Sequence, residues 1–103
     1  MWILLNDSFL SIVEHTSSKK LLLVRARASG DIEKIFPHAE VETGTGTDYQ
    51  YRAIIPRDLV QAEIAHRISL IDYPNFKSSV PAKWRHDAYM SVWHSLWSSF
   101  LGR

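Results

Sequence analysis

The chain has no cysteine, which excludes disulfides, thiolate metal sites and thiol catalysis and makes a reducing cytoplasm the expected compartment. Nor has it a surplus of one charge. Twelve Lys and Arg stand against 11 Asp and Glu, a formal net charge of +1. Residues 1–50 hold five basic and seven acidic side chains, and residues 51–103 hold seven and four. So mild an asymmetry argues against a strong binder of a phosphate backbone. Long apolar runs are missing too: Met1-Trp2-Ile3-Leu4-Leu5 is broken at once by Asn6-Asp7, which fits neither a signal peptide nor a membrane span. No membrane is therefore expected among the partners. What is present is ordinary for a globular protein: 103 residues, 46% hydrophobic and 22% charged. That is enough for one core and too little for two, so residues 1–103 are expected to form a single domain.

Phe9 to His15 and Lys20 to Ala28 are apolar or alternating runs around the polar Thr16-Ser17-Ser18-Lys19, the pattern of a β-hairpin. Trp2 to Leu5 reads as an extension of the first strand, with Asn6-Asp7-Ser8 as a bulge or kink. A short helix follows: Ser29 is placed to cap it, Asp31 and Glu33 suit its positive end, Ile32, Ile35 and Phe36 supply an apolar edge, and Pro37 stops it. Ala39 to Thr43 reads as an edge strand, Gly44 to Asp48 as a turn and Tyr49 to Ile55 as its partner strand. The spacing of Val60, Ile64, Ile68 and Ile71, flanked by Ala65, predicts an amphipathic helix over about 56–71. After an Asp72 to Pro81 connector, no Pro or Gly interrupts Ala82 to Leu101. There Trp84, Ala88, Val92 and Leu96 form one helical stripe, and Tyr89, Trp93, Trp97 and Phe100 an adjacent one. The predicted order is ββαββαα, an α+β fold in which a four-stranded antiparallel sheet carries two or three helices on one face.

Several segments together, among them Leu22-Leu23-Val24-Arg25-Ala26-Arg27, Phe36-Pro37, Asp72-Tyr73-Pro74-Asn75-Phe76-Lys77 and Arg85-His86-Asp87-Ala88-Tyr89, resemble a group of short bacterial proteins with no assigned activity. The resemblance covers most of the chain and implies a small bacterial domain. It brings no cofactor and no catalytic residue. Small proteins of this kind are also common on mobile elements, where some block host defence systems.

Three constellations suggest chemistry. Alternation puts Arg25 and Arg27 on one strand face, and Arg52 points away from Tyr51 and Ala53. If these faces coincide, three guanidiniums share one side of the sheet and could hold single-stranded nucleic acid, with Tyr49 or Tyr51 as stacking platforms. The same alternation, however, sets the tyrosines opposite Arg52, and a solvated face balanced by Glu14 explains the charges as well. The five histidines, His15, His38, His66, His86 and His94, lack metal-ligand spacing, since His86 and His94 lie about 12 Å apart along a helix. No metal, cofactor or catalytic group is expected. Gly44-Thr45-Gly46-Thr47 lacks the Lys and the strand-to-helix setting of a phosphate loop.

The aromatic tail is the strongest signal. Trp84 and Trp93 lie about 180° apart on a helix, so one side needs cover beyond a single sheet. Tyr73, Phe76 and Val80 of the connector, a second copy or a different protein are the candidate covers. Lys77 and Arg85 are placed to grip an anion or, in the simpler reading, to pair with Asp72 and Asp87. The expected function is a non-enzymatic protein-interaction module, for example an inhibitor or regulator of a bacterial complex such as a host defence system. Its expected binding residues are Arg25, Arg27, Arg52, Tyr73, Phe76, Lys77, Arg85, Tyr89, Trp93 and Trp97. The alternatives are a single-stranded nucleic-acid binder using the Arg-bearing face and a homodimeric structural protein.

Overall fold

Alternating apolar side chains draw Phe9–His15 (β2) and Ser18–Ala26 (β3) into an antiparallel hairpin. This computed structural model describes residues 1–44 and 46–103; residue 45, within the expected Gly44 to Asp48 turn, lies outside the described residues. Trp2–Leu4 (β1) pairs with β2 in the register Trp2↔Ser11, Ile3↔Leu10, Leu4↔Phe9. The sheet is completed by Glu42–Thr43 (β4) and Tyr51–Pro56 (β5), giving five antiparallel strands in the order β1-β2-β3-β5-β4. The expectation of four strands is corrected here. Asn6-Asp7-Ser8 does not kink one long strand but turns the chain back, closed by the Leu5 N–H donating to the Ser8 carbonyl at 2.8 Å. Asn, Asp and Ser favour such turns because their side chains compete for backbone partners. The order is βββαββαα, and the α+β class stands.

Helices Asp31–Ile35 (α1) and Arg57–Ser69 (α2) cover one face of this sheet. Leu10 and Ile12 of β2, Leu22, Val24 and Ala26 of β3, and Ala53 and Ile55 of β5 meet Ile32, Ile35 and Phe36 from around α1 and Val60 from α2. Each large side chain buried this way contributes roughly 1.5–3 kcal/mol. Gly30, at φ 89°, takes the N-cap position of α1, and no side chain caps it. The expected Ser29 cap is displaced because glycine alone tolerates that left-handed backbone without cost. Asp31, fully buried, accepts the Phe9 N–H at 3.0 Å and so ties α1 to β2. The expected α2 stripe is only half used: Val60 is buried and Ile64 packs beside the core, but Ile68 and Ile71 are exposed. Ile68 lines a shallow apolar groove with Met1, Ile12 and Leu22 instead of filling the core, and Ile71 lies past the end of the helix.

The chain divides into two compact units, Met1–Asp72 and Tyr73–Arg103. In the second, Asn75 Oδ1 accepts the Ser78 N–H at 3.0 Å and closes a turn into a short 3₁₀ segment, Lys77–Ser79. Pro81 forces the preceding residue to stay extended, and Lys83–Phe100 (α3) then runs without interruption. The site residues sit on β3 with the Arg27 that follows it, on β5, on the connector from Tyr73 to Lys77, and on α3.

Candidate functional site

At roughly 100° per residue, Arg85, Tyr89, Val92, Trp93, Leu96, Trp97 and Phe100 fall within about 140° of the α3 circumference. Lys83, Asp87, Ser91, His94, Ser95, Ser98 and Ser99 fill the opposite side. The aromatics are thus one face, Trp84 apart. Along this face the environment changes. Arg85 and Tyr89 are buried, whereas every residue from Ser91 to Phe100 is exposed. No Asp, Glu, Lys or Arg occurs between Asp87 and Arg103.

The rings on this face form a ladder. Tyr73 and Phe76 approach at 6.1 Å, Phe76 stacks on Tyr89 at 5.8 Å and 18°, and Trp93 stacks on Trp97 at 6.3 Å and 15°. The Lys77 ammonium lies 4.2 Å from the centre of the Trp93 ring, bridging connector and helix. Seven sequence-predicted residues, Tyr73, Phe76, Lys77, Arg85, Tyr89, Trp93 and Trp97, therefore lie in this second unit along one contiguous surface. The expected pairing of Lys77 is corrected: Asp87 is held by Lys83 at 2.8 Å, and Lys77 sits on Trp93. The Arg85 guanidinium lies 4.6 Å from the Trp84 ring centre. Spacing decides this outcome, because Lys83 and Asp87 are one helical turn apart. Their hydrogen bond raises the Lys83 ammonium pKa, and together with a smaller contribution from His86 it lowers that of the Asp87 carboxyl.

The second candidate surface is the sheet face away from α1 and α2. The registers Trp2↔Ser11, Ser11↔Arg25, Arg25↔Arg52 and Arg52↔Glu42 place these side chains in one row across all five strands. The faces of Arg25 and Arg52 do coincide. Arg25 donates to Ser11 Oγ at 2.7 Å, and Arg27 pairs with Asp48 at 2.5 Å. Beside the row, Val13, Leu23 and Ile54 form a second one, the apolar floor of a groove of about 640 Å³. The expectation that the tyrosines lie away from the arginines is half right. Tyr51 packs beside the core, but the chain bends before β5 and brings Tyr49 to Arg25 and Arg27, each guanidinium 4.7 Å from its ring centre. Tyr49 is then only 7% exposed, which closes it to a stacking base. Glu14, expected to balance the arginines, pairs with Arg57 at 2.8 Å instead.

Among the described residues, no three His, Asp or Glu side chains are grouped to hold a metal ion, and no helix is long and apolar enough to cross a membrane. The chain matches no protein-family model, no curated protein and no solved structure, so its function is argued from its own geometry. The site list from sequence lacked Val92, Leu96 and Phe100, which complete the helix face, and Val13, Leu23 and Ile54, which complete the sheet face. The signal for the latter was available: each lies two residues from Ser11, Arg25 or Arg52 on its strand, and period two puts it on the same side.

Proposed function

We propose that the protein is a non-enzymatic interaction module that inserts the apolar face of α3 into a hydrophobic groove on a partner protein. One observation carries the reading: the face that is buried at Arg85 and Tyr89 continues for three more turns through Val92, Trp93, Leu96, Trp97 and Phe100, all of them exposed even with Lys77 over Trp93. An amphipathic helix that presents anchors one turn apart suits recognition by a groove. Trp and other aromatic residues are also the side chains most often found at binding hot spots. The absence of charge on Ala88 to Gly102 points the same way, since a desolvated interface is costly for unpaired ions and not for serines at its rim.

Nucleic acid is the weaker reading. The tyrosine nearest the arginines is closed, and Glu40 and Glu42 line the groove beside Arg52, where they would repel a phosphate backbone. A photo-crosslinking residue tests the proposal by position. In place of Leu96 it should capture a discrete protein partner in cells of the native host, and in place of Ser98, on the opposite side of the helix, it should not. Trp93→Ser/Trp97→Ser should abolish capture at position 96. A product of twice the chain mass would identify a second copy as the partner. Equal capture at both positions, or none at 96, would refute the reading.

A further inference from the structure

A helix that binds through an apolar face needs a hydrophobic groove, and Met1–Asp72 carries one. Beside α2, a groove of about 330 Å³ is lined by Val60, Ile64 and Ile68 of the helix, by Ile12 and Leu22 of the sheet, and by Met1. Met1 and Ile68 are 65% and 64% exposed, so this surface is open in the single chain, as the α3 face is. The lengths match. Val60 to Ile68 and Val92 to Phe100 each cover eight residue steps, about 12 Å of helix rise. The charges match too. Arg57 is the one charged side chain on the groove, and it is already engaged by Glu14 at 2.8 Å and by the Lys19 carbonyl at 2.7 Å. An uncharged helix face is therefore buried there without stranding an ion.

Given the reading of α3 as a groove-binding helix, on which this step rests, we propose that the partner is a second copy of this chain. Two copies exchange their α3 faces, each docking into the Val60-Ile64-Ile68 groove of the other. Area selects this arrangement. Aromatic side chains bury about 150–250 Å² each, so Trp93, Trp97 and Phe100, 43–68% exposed, still offer roughly 350 Å² together. Pairing two α3 faces with each other, or docking one helix alone, would hide about 700 Å² counting both sides, short of the roughly 1,000 Å² that a specific interface needs. The two contacts of a mutual exchange hide about 1,400 Å². They also close on a two-fold axis and leave no open end to recruit further copies.

Because the chain has no cysteine, single introduced thiols report the contact. A chain with Ala65→Cys, on the groove wall, is mixed with a length-tagged chain carrying Leu96→Cys. The mixed disulfide should form on mild oxidation, and Ser98→Cys in place of Leu96→Cys should give none, since a disulfide joins only Cα atoms within about 7 Å. Both changes in one chain should give a covalent dimer. Light scattering of the parent should show a monomer passing to a dimer with concentration. Ile68→Lys should raise the dissociation constant at least about tenfold by placing an unpaired charge in the groove. Ile68 is exposed, so that variant should keep the parent's melting temperature when dilute. The proposal is overturned if the Ala65→Cys and Leu96→Cys chains stay unlinked, if Leu96→Cys chains link to one another instead, or if the double variant closes on itself as a covalent monomer. It is also overturned if the parent stays monomeric at every concentration, or if Ile68→Lys dimerises like the parent. Capture of a different protein by the photo-crosslinker at position 96, with the thiol pair unlinked, would remove the second copy as partner and leave the groove-binding helix standing. Absence of both products would remove both.

Discussion

In Met1–Asp72 most of the large apolar side chains turn inward onto one face of a sheet, and in Tyr73–Arg103 those beyond Tyr89 line one side of a helix and remain in water. Leu10, Val24, Ala26 and Ile32 are fully buried, whereas Trp93, Leu96, Trp97 and Phe100 are 43–68% exposed. Composition and geometry both separate the two regions: seven of the 12 Trp, Tyr and Phe residues fall within residues 73–103. A sheet gives a helix a broad partner surface, so α1 and the first turns of α2 find cover. On α3, Arg85 and Tyr89 in the first two turns are buried, while the residues from Ser91 to Phe100 stay exposed even with Lys77 over Trp93. The lesson is that apolar surface in the first unit serves folding, and in the second it is available for association.

The largest effect that should sharpen this contrast is Ile32→Ala. It opens a cavity where α1 meets the sheet and should cost about 2–5 kcal/mol in chemical denaturation. Phe76→Ala should cost less, about 1 kcal/mol from the lost stacking on Tyr89 and Tyr73, and should expose Tyr89 to solvent. Trp93→Ser/Trp97→Ser should cost the isolated chain about 1–2 kcal/mol in all, from the lost ring stacking and the Lys77 contact, although it removes two of the largest side chains. A loss of several kcal/mol from that double variant would break the comparison, since α3 would then be core.

The smallest effect concerns pH. The Asp87 pKa is lowered mainly by its hydrogen bond to Lys83, so this pair supports the start of α3 above the ordinary carboxylate pKa. That support fades as pH falls through the depressed value. The Lys83 pKa is raised, so the pair also survives up to the ordinary lysine range and is lost above it. The protection of the amides over Lys83 to Met90, taken against the intrinsic exchange rate at each pH, should therefore fall in acid, and Asp87→Asn should show the lower protection at neutral pH as well. A variant with unchanged acid dependence would place the titration elsewhere.

Much of the fold was legible because its periodicities are clean. The β2 and β3 alternation, the α2 start after Pro56 and the unbroken run of α3 each follow from local pattern. β1 was misread because Asn6-Asp7-Ser8 is equally consistent with a bulge and a turn, and only pairing with β2 decides between them. Ile68 and Ile71 misled for a related reason: a helical stripe reports which face is apolar, not how tightly its later turns close on the core or where the helix ends. The coincidence of Arg25 with Arg52 depended on register, which neither strand encodes alone. Tyr49 was placed on the wrong side because alternation fails where the chain bends. The excess of rings on α3, by contrast, was plain from spacing, because a helix of fixed pitch leaves few arrangements open.

Tryptophan fluorescence tests the central claim most directly, since all four indoles, Trp2, Trp84, Trp93 and Trp97, are 43–70% exposed in a single chain. In dilute solution the emission should be that of solvated indole and fully accessible to acrylamide, and concentration or a partner should shift it to the blue and protect it. Blue-shifted, quencher-resistant emission that persists on dilution, from a chain shown by light scattering to be a monomer, would mean that the protein covers its own helix and would contradict the account.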